Sequence, residues 1–148
     1  MPQRQAAGSA PIYFDKIIEN PETVATAIRI GNPASWAQAK AAIRDSKGSI
    51  DIVTDQEILD AQAWLAANEG IFIEPGSAAS VAGLLKCLDC NREPCATCPV
   101  RGIPEGSTLV LTVTGHGLKD IDAPLKHRAF APLQAANSME SVLHTLGY

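Results

Sequence analysis

The chain is 148 residues long, enough for one domain with its own core. Hydrophobic residues make up 46% and charged residues 19%, an ordinary globular composition, and a net charge of −4 leaves no basic surplus to neutralise phosphates, which argues against nucleic-acid binding. No run of about 18 apolar residues occurs, so no membrane span is expected; "MPQRQAAGSAPIYF" lacks the continuous apolar stretch of a secretory leader, and the expected compartment is the cytoplasm.

In chain order, Pro11–Phe14 reads as a short strand or entry segment. Asn20 as cap, Pro21 at the first helical position and Glu22 at the positive helix end predict a helix from Pro21 to about Arg29, stopped by Gly31. Pro33 opens a second, alanine-rich helix that Gly48 closes. "SIDIVT" alternates and carries β-branched residues, so a strand is expected at Ser49–Thr54. Thr54 with Glu57 forms a capping box for a largely buried helix that ends near Gly70. "IFIE" reads as a short buried strand and "GSAASVAGLLK" as a helix with a small-residue face. "STLVLTV" (Ser107–Val113) is the clearest strand, apolar on both faces as in a covered parallel sheet. Asn137 with Glu140 makes a last cap pattern. The alternation of strands and helices predicts an α/β fold with a mainly parallel sheet flanked by helices, one unit over residues 1–148.

The apolar run stops at "TVTGHGLKD", a loop with two glycines, a histidine, a lysine and an aspartate. The C-terminal end of a strand is where α/β proteins place ligands. A second strand end, "EPGSAASVAGLLK", begins at Glu74, and a third segment, "ENPETVATAIRIGNPASW", spans Glu19 to Trp36. With "QAAGSAP", "IDIVTDQEIL" and "IPEGSTLVLTVTGHGLKD", these segments resemble threonine synthase, in the family's order and over nearly the whole chain from Gln5 to about Pro124. The resemblance implies a pyridoxal-phosphate (PLP) enzyme of the tryptophan-synthase-β-like fold, seen in its C-terminal portion. Its reaction would convert O-phospho-L-homoserine and water into L-threonine and phosphate.

The resemblance also implies a cofactor contact for Thr114, whose hydroxyl would hydrogen-bond the pyridine nitrogen. A hydroxyl donates to a neutral pyridine nitrogen but does not readily hold it protonated, as a carboxylate would. A backbone-capping use of Thr114 is the competing reading. Glu74 is a pocket candidate at its strand end; Arg29 and Asn32 are candidates for the substrate phosphate, with solvated or structural roles as the alternative. His116 reads equally as structural. The Schiff-base lysine and the Gly/Asn-rich phosphate loop belong to the family's upstream half. No lysine here has the expected surroundings, so no catalytic residue is expected in this chain, and the isolated chain is expected to be inactive. A separately encoded N-terminal half or an intact synthase is a candidate partner, alongside a small-molecule substrate and a homo-oligomer.

"CLDCNREPCATC" gives C-x2-C-x4-C-x2-C, from Cys87, Cys90, Cys95 and Cys98, within a compositional break at 87–101 that reads as a loop insertion. Two thiolate hooks joined by a turn suit Zn²⁺ or an iron–sulfur cluster. Incidental thiols and a redox disulfide are the alternatives. A second class of function therefore stands beside the enzyme: a non-catalytic metal-binding or regulatory module derived from it.

Overall fold

The computed structural model describes residues 2–90, 105–127 and 133–148. Strand β1 (Pro2–Ala6) pairs in parallel with β2 (Ser49–Val53), Pro2 opposite Ser49 and Ala6 opposite Val53. The Ala7 N–H continues the ladder to the Val53 carbonyl at 2.8 Å. Between the strands lie α1 (Pro11–Phe14), a single 3₁₀ turn at Thr26–Ile28 and α2 (Trp36–Asp45). After β2 come α3 (Asp55–Glu69) and α4 (Pro75–Cys90), then a 3₁₀ turn at Gly117–Lys119, α5 (Asp122–His127) and α6 (Met139–Leu146). This is an α/β arrangement with a small parallel sheet.

The core is built by α3 and α4 packing on each other and by α4 packing on both strands. Ala6, Val53, Ile58, Ala61, Ile73 and Ala78 lie at its centre, with Ala79, Val81 and Ala82 along α4. Most of these side chains are small, so helix and sheet approach closely. The face of α4 also admits an arginine: a Cβ at Gly83 would lie 2.4 Å from the Arg4 side chain, which crosses there.

The capping box is present in full. The Thr54 hydroxyl accepts from the Glu57 N–H at 3.2 Å, and the Glu57 carboxylate accepts from the Thr54 N–H at 2.7 Å. The helix ends at Gly70 in the left-handed conformation, φ 67°. Strand Ser49–Val53 also forms as expected.

Six expectations are corrected. The alanine-rich helix α2 begins at Trp36, not at Pro33. Pro11–Phe14 is a helical turn with Pro11 at its first position, where the missing N–H costs nothing. Pro21–Arg29 is not a helix. Thr23 and Val24 are tethered to the Asp55 carboxylate (2.5 and 3.0 Å), and the Ile30 N–H donates to the Ser9 hydroxyl at 2.9 Å, so tertiary partners replace helical ones. Helix α6 is capped by Ser138, whose hydroxyl accepts from the Ser141 N–H at 3.2 Å, and not by Asn137. Segments 71–74 and 107–113 are not ladder strands among the described residues; Ile73 makes a lone antiparallel bridge to His116. In 107–113 only Leu111 packs against the core, while Leu109, Val110 and Val113 are exposed, Val110 by 88%.

Candidate functional site

The loop after Val113 is held along the strand-like segment 72–74 by backbone bonds. The Glu74 N–H donates to the Gly115 carbonyl at 2.9 Å, and the Gly117 N–H donates to the Phe72 carbonyl at 3.1 Å. From below, Gln62 of α3, itself buried, donates to the Ile73 carbonyl at 2.7 Å and fixes the segment on the core. His116 stacks edge-on to Phe72, ring centroids 6.0 Å apart, and its Nδ1 accepts from the Leu118 N–H at 3.1 Å. Nδ1 is therefore an acceptor that caps the 3₁₀ turn Gly117–Lys119, a structural use of His116.

Glu74 occupies the cap position of α4. Its carbonyl accepts from Ser77 and Ala78 at 3.0 and 3.1 Å, and Pro75 takes the first helical position. Its side chain is buried against the loop, and its carboxylate pairs with Lys119 Nζ at 3.0 Å. The loop carries glycine where it meets that carboxylate: a Cβ at Gly115 would fall 2.1 Å from it.

Thr114 sits at the α4 N-terminus beside Ser77. The Ser77 Oγ accepts from the Thr114 N–H at 2.9 Å and the Gly115 N–H at 2.8 Å, and lies 3.0 Å from the Thr114 Oγ1. Ser77 is 3% exposed, whereas Thr114 is exposed. The third segment joins through the turn Thr26–Ile28. Ala27 and Ile28 pack beside Gly76, and the Thr26 hydroxyl donates to Asp120 at 2.7 Å. Arg29 and Asn32 follow this turn and are exposed; the Arg29 N–H closes the turn on the Thr26 carbonyl at 3.2 Å.

The structure thus brings Thr114 and Glu74 together and leaves Arg29 and Asn32 on the surface near the turn that flanks them. Sequence reasoning missed Ser77, Gln62 and Lys119. Ser77 stands third in α4, within a run read only as a packing face, and its position beside a glycine-rich loop was the available signal. Helix α4 runs on to Cys90, so Cys87 and Cys90 are helical. Cys87 is buried, and its Sγ accepts from Arg4 Nη2 at 2.9 Å. The Cys90 side chain, Cys95 and Cys98 lie outside the described residues, and no cluster of three metal-ligating side chains occurs among those described.

Chemically, this corner offers an exposed threonine on a well-bonded loop, a carboxylate paired with lysine behind it, and a surface arginine beyond the Thr26–Ile28 turn. The chain is 53% identical over 123 residues to threonine synthase of Synechocystis sp., covering 83% of this chain and 29% of the relative. It is 50% identical over 122 residues to that of Mycobacterium leprae, covering 82% and 31%, and 44% identical over 138 residues to that of Bacillus sp. (strain ULM1), covering 93% and 36%. The chain therefore spans about a third of the length of the curated relatives it matches. A family model described as pyridoxal-phosphate dependent enzyme matches residues 4–97, which include Glu74 and Ser77 and stop short of Thr114. On that match, the chain belongs to the pyridoxal-phosphate dependent enzyme family.

Proposed function

We propose that the chain is a C-terminal portion of a threonine synthase, acting on O-phospho-L-homoserine, and that it supplies the wall of the PLP pocket facing the pyridine nitrogen. One observation carries this reading: Thr114 is an exposed residue on a loop bonded at both 72–74 and Ser77. The tryptophan-synthase-β-like architecture, a homo-oligomeric state and a cytoplasmic setting belong to the same proposal.

The residues fit the ring-nitrogen end of the cofactor. They do not make a phosphate cradle at α4, because Pro75 has no N–H and the Ser77 and Ala78 N–H groups both bond to the Glu74 carbonyl. Bound PLP would supply an electron sink for charge developing on the substrate. Thr114 would orient the ring by a single hydroxyl bond, of about 0.5–1.5 kcal/mol net, too little to retain a cofactor. Glu74, neutralised by Lys119, would keep the loop shape without adding negative charge to the pocket. Arg29 and Asn32, exposed beside the Thr26–Ile28 turn, would meet the substrate phosphate as it enters.

The 148 residues taken alone are therefore expected to show no threonine formation and no stoichiometric cofactor absorbance. Co-expression with the rest of a threonine synthase is expected to restore both. Turnover by the chain alone overturns the need for a second part; failure of restoration overturns the threonine synthase reading. The exposed apolar segment 107–113 supports a missing neighbour of this kind, since an unpaired edge invites a strand.

The proposal also keeps Zn²⁺ or an iron–sulfur cluster at Cys87, Cys90, Cys95 and Cys98, supported by their spacing and by Cys87 and Cys90 standing three apart on one helix. Metal analysis after non-chelating purification tests it, and under about a tenth of an equivalent of zinc and iron together discards it.

A further inference from the structure

Two walls of the candidate site are each fixed from their own side. The loop 114–120 is held by Ser77 at its start and by 72–74 in its middle, and the Asp120 N–H closes its last turn on the Gly117 carbonyl at 3.2 Å. The segment that carries Arg29 and Asn32 is held elsewhere. Asp55, at the start of α3, accepts from Thr23 and Val24. Ser9 donates to the Ile28 carbonyl at 3.1 Å and accepts from the Ile30 N–H at 2.9 Å. Between those anchors the turn Thr26–Ile28 meets the other wall. There the Thr26 hydroxyl donates to Asp120 Oδ2 at 2.7 Å, the one hydrogen bond among the described residues that joins segment 19–36 to the loop 114–120.

An O–H held by a carboxylate at this distance is in the stronger, charge-assisted class. The bond is exposed, so water competes for both groups. Its two ends are already ordered, and closing it costs little further freedom. What it adds is alignment of one wall on the other, because the packing of Ala27 and Ile28 beside Gly76 is apolar and non-directional. We propose that Asp120 is a positioning residue for the substrate: through Thr26 it fixes the turn that leads to Arg29 and Asn32 against the Thr114 loop. The inference rests on the reading that Arg29 and Asn32 meet the substrate phosphate while Thr114 meets the ring. Loss of the bond leaves both walls folded and loosens only their alignment. Substrate that touches both walls then binds less tightly, since the alignment has to be fixed at the moment of binding.

The first measurement uses the full chain without ligand. The Ile28 and Arg29 N–H groups close the turn on the Ala25 and Thr26 carbonyls. In Asp120→Ala their exchange with water is expected to quicken about fivefold, with Thr114 and Gly115 staying within about twofold of wild type. Asp120→Asn keeps a carbonyl acceptor and should return the rates toward wild type. Thr26→Val combined with Asp120→Ala should exchange no faster than either alone, as for two ends of one bond. Unchanged exchange in Asp120→Ala, no recovery in Asp120→Asn, or additive effects in the double variant overturns the proposal. The second measurement uses the chain co-expressed with the rest of a threonine synthase. Asp120→Ala is expected to raise KM for O-phospho-L-homoserine about fivefold with kcat within about twofold, and Asp120→Asn to recover most of the loss. A fall in kcat at constant KM overturns the positioning role. Arg29→Gln combined with Asn32→Ala separates the two readings. If that pair leaves KM unchanged, the phosphate reading beneath the proposal falls; if it raises KM and Asp120→Ala does not, the role of Asp120 falls alone.

Discussion

The loop at Thr114–Asp120 and the segment that leads into it, Ser107–Val113, are adjacent in sequence and opposite in character. The loop is polar and rich in internal bonds: Ser77 holds its start, residues 72–74 hold its middle, Lys119 pairs with Glu74, and Asp120 accepts from Thr26. The segment is apolar and touches the core through Leu111, with Leu109, Val110 and Val113 exposed. Polar loop geometry is satisfied by groups within reach in this chain. A central parallel strand needs neighbours on both sides, and burying such a strand takes a larger sheet than the two strands among the described residues. A loop can thus be fully bonded while the apolar segment that leads into it stays exposed.

The largest expected effect strikes the well-bonded side. Gly8 is pressed against backbone: a Cβ there would lie 1.9 Å from the Glu22 carbonyl oxygen, while the Glu22 N–H bonds to the Gly8 carbonyl at 3.0 Å. Glu22 is pinned beside Gly8 by its own N–H, so its carbonyl cannot swing away as a side chain can. Gly8→Ala should destabilise the chain by about 3 kcal/mol, read as a lowered urea midpoint, and should loosen the neighbouring bonds of Ser9 to Ile28 and Ile30. An unchanged midpoint would mean that the three segments are not joined as described.

Ser77→Ala comes next. It leaves the N–H groups of Thr114 and Gly115 without their acceptor, at an expected cost of about 2 kcal/mol, because a partly buried unpaired donor loses its water as well as its bond. Amide hydrogen exchange should speed at 114 and 115 and stay unchanged along α3. Uniform acceleration would show that the loop opens only with the whole fold.

What the sequence made legible divides along the same line. The capping box at Thr54 and Glu57, strand 49–53 and the glycine stop at 70 each depend on residues within one turn or strand of each other, and each formed where expected. At Thr114 the sequence shows only a polar, glycine-bearing loop; the bonds that hold it to 72–74 and to Ser77 come from the structure. What failed was whatever a distant partner decides. The Asn20–Pro21 helix signal lost to Asp55 and Ser9, more than ten residues away in the chain. Strand β1, "PQRQA", has no apolar alternation; its pairing with β2 is a backbone matter that side-chain pattern does not announce. Ser77 was read for its size, and its hydroxyl was missed because its partners lie 37 and 38 residues on.

A smaller effect calibrates that of Ser77. Thr54→Ala also removes a hydroxyl acceptor from a backbone N–H, that of Glu57, but at an exposed helix start. Water replaces the lost partner, so the expected cost is about 1 kcal/mol, half that of Ser77→Ala. Equal losses at the two sites, measured by urea denaturation under one set of conditions, would remove burial as the reason the Thr114 loop is held more firmly.

The smallest effect on folding should come from the other side of the comparison, and there its smallness is informative. Val110 is 88% exposed, so Val110→Asp has little burial to lose and should move stability by no more than about 0.5 kcal/mol. Association is where it should tell. An extended segment with exposed Leu109, Val110 and Val113 presents both apolar side chains and backbone to any strand that can lie beside it, and a charge on that edge opposes such pairing. Sedimentation velocity at rising concentration should show the wild-type chain self-associating and the variant remaining closer to monomeric, with superimposable unfolding curves. In co-expression with the rest of a threonine synthase, the same substitution should weaken assembly. If it instead costs stability in the monomer, Val110 is buried in solution and the segment has found a partner within the chain. If it changes neither stability nor association, the apolar run does not serve as an edge, and the contrast with the Thr114 loop is one of composition alone.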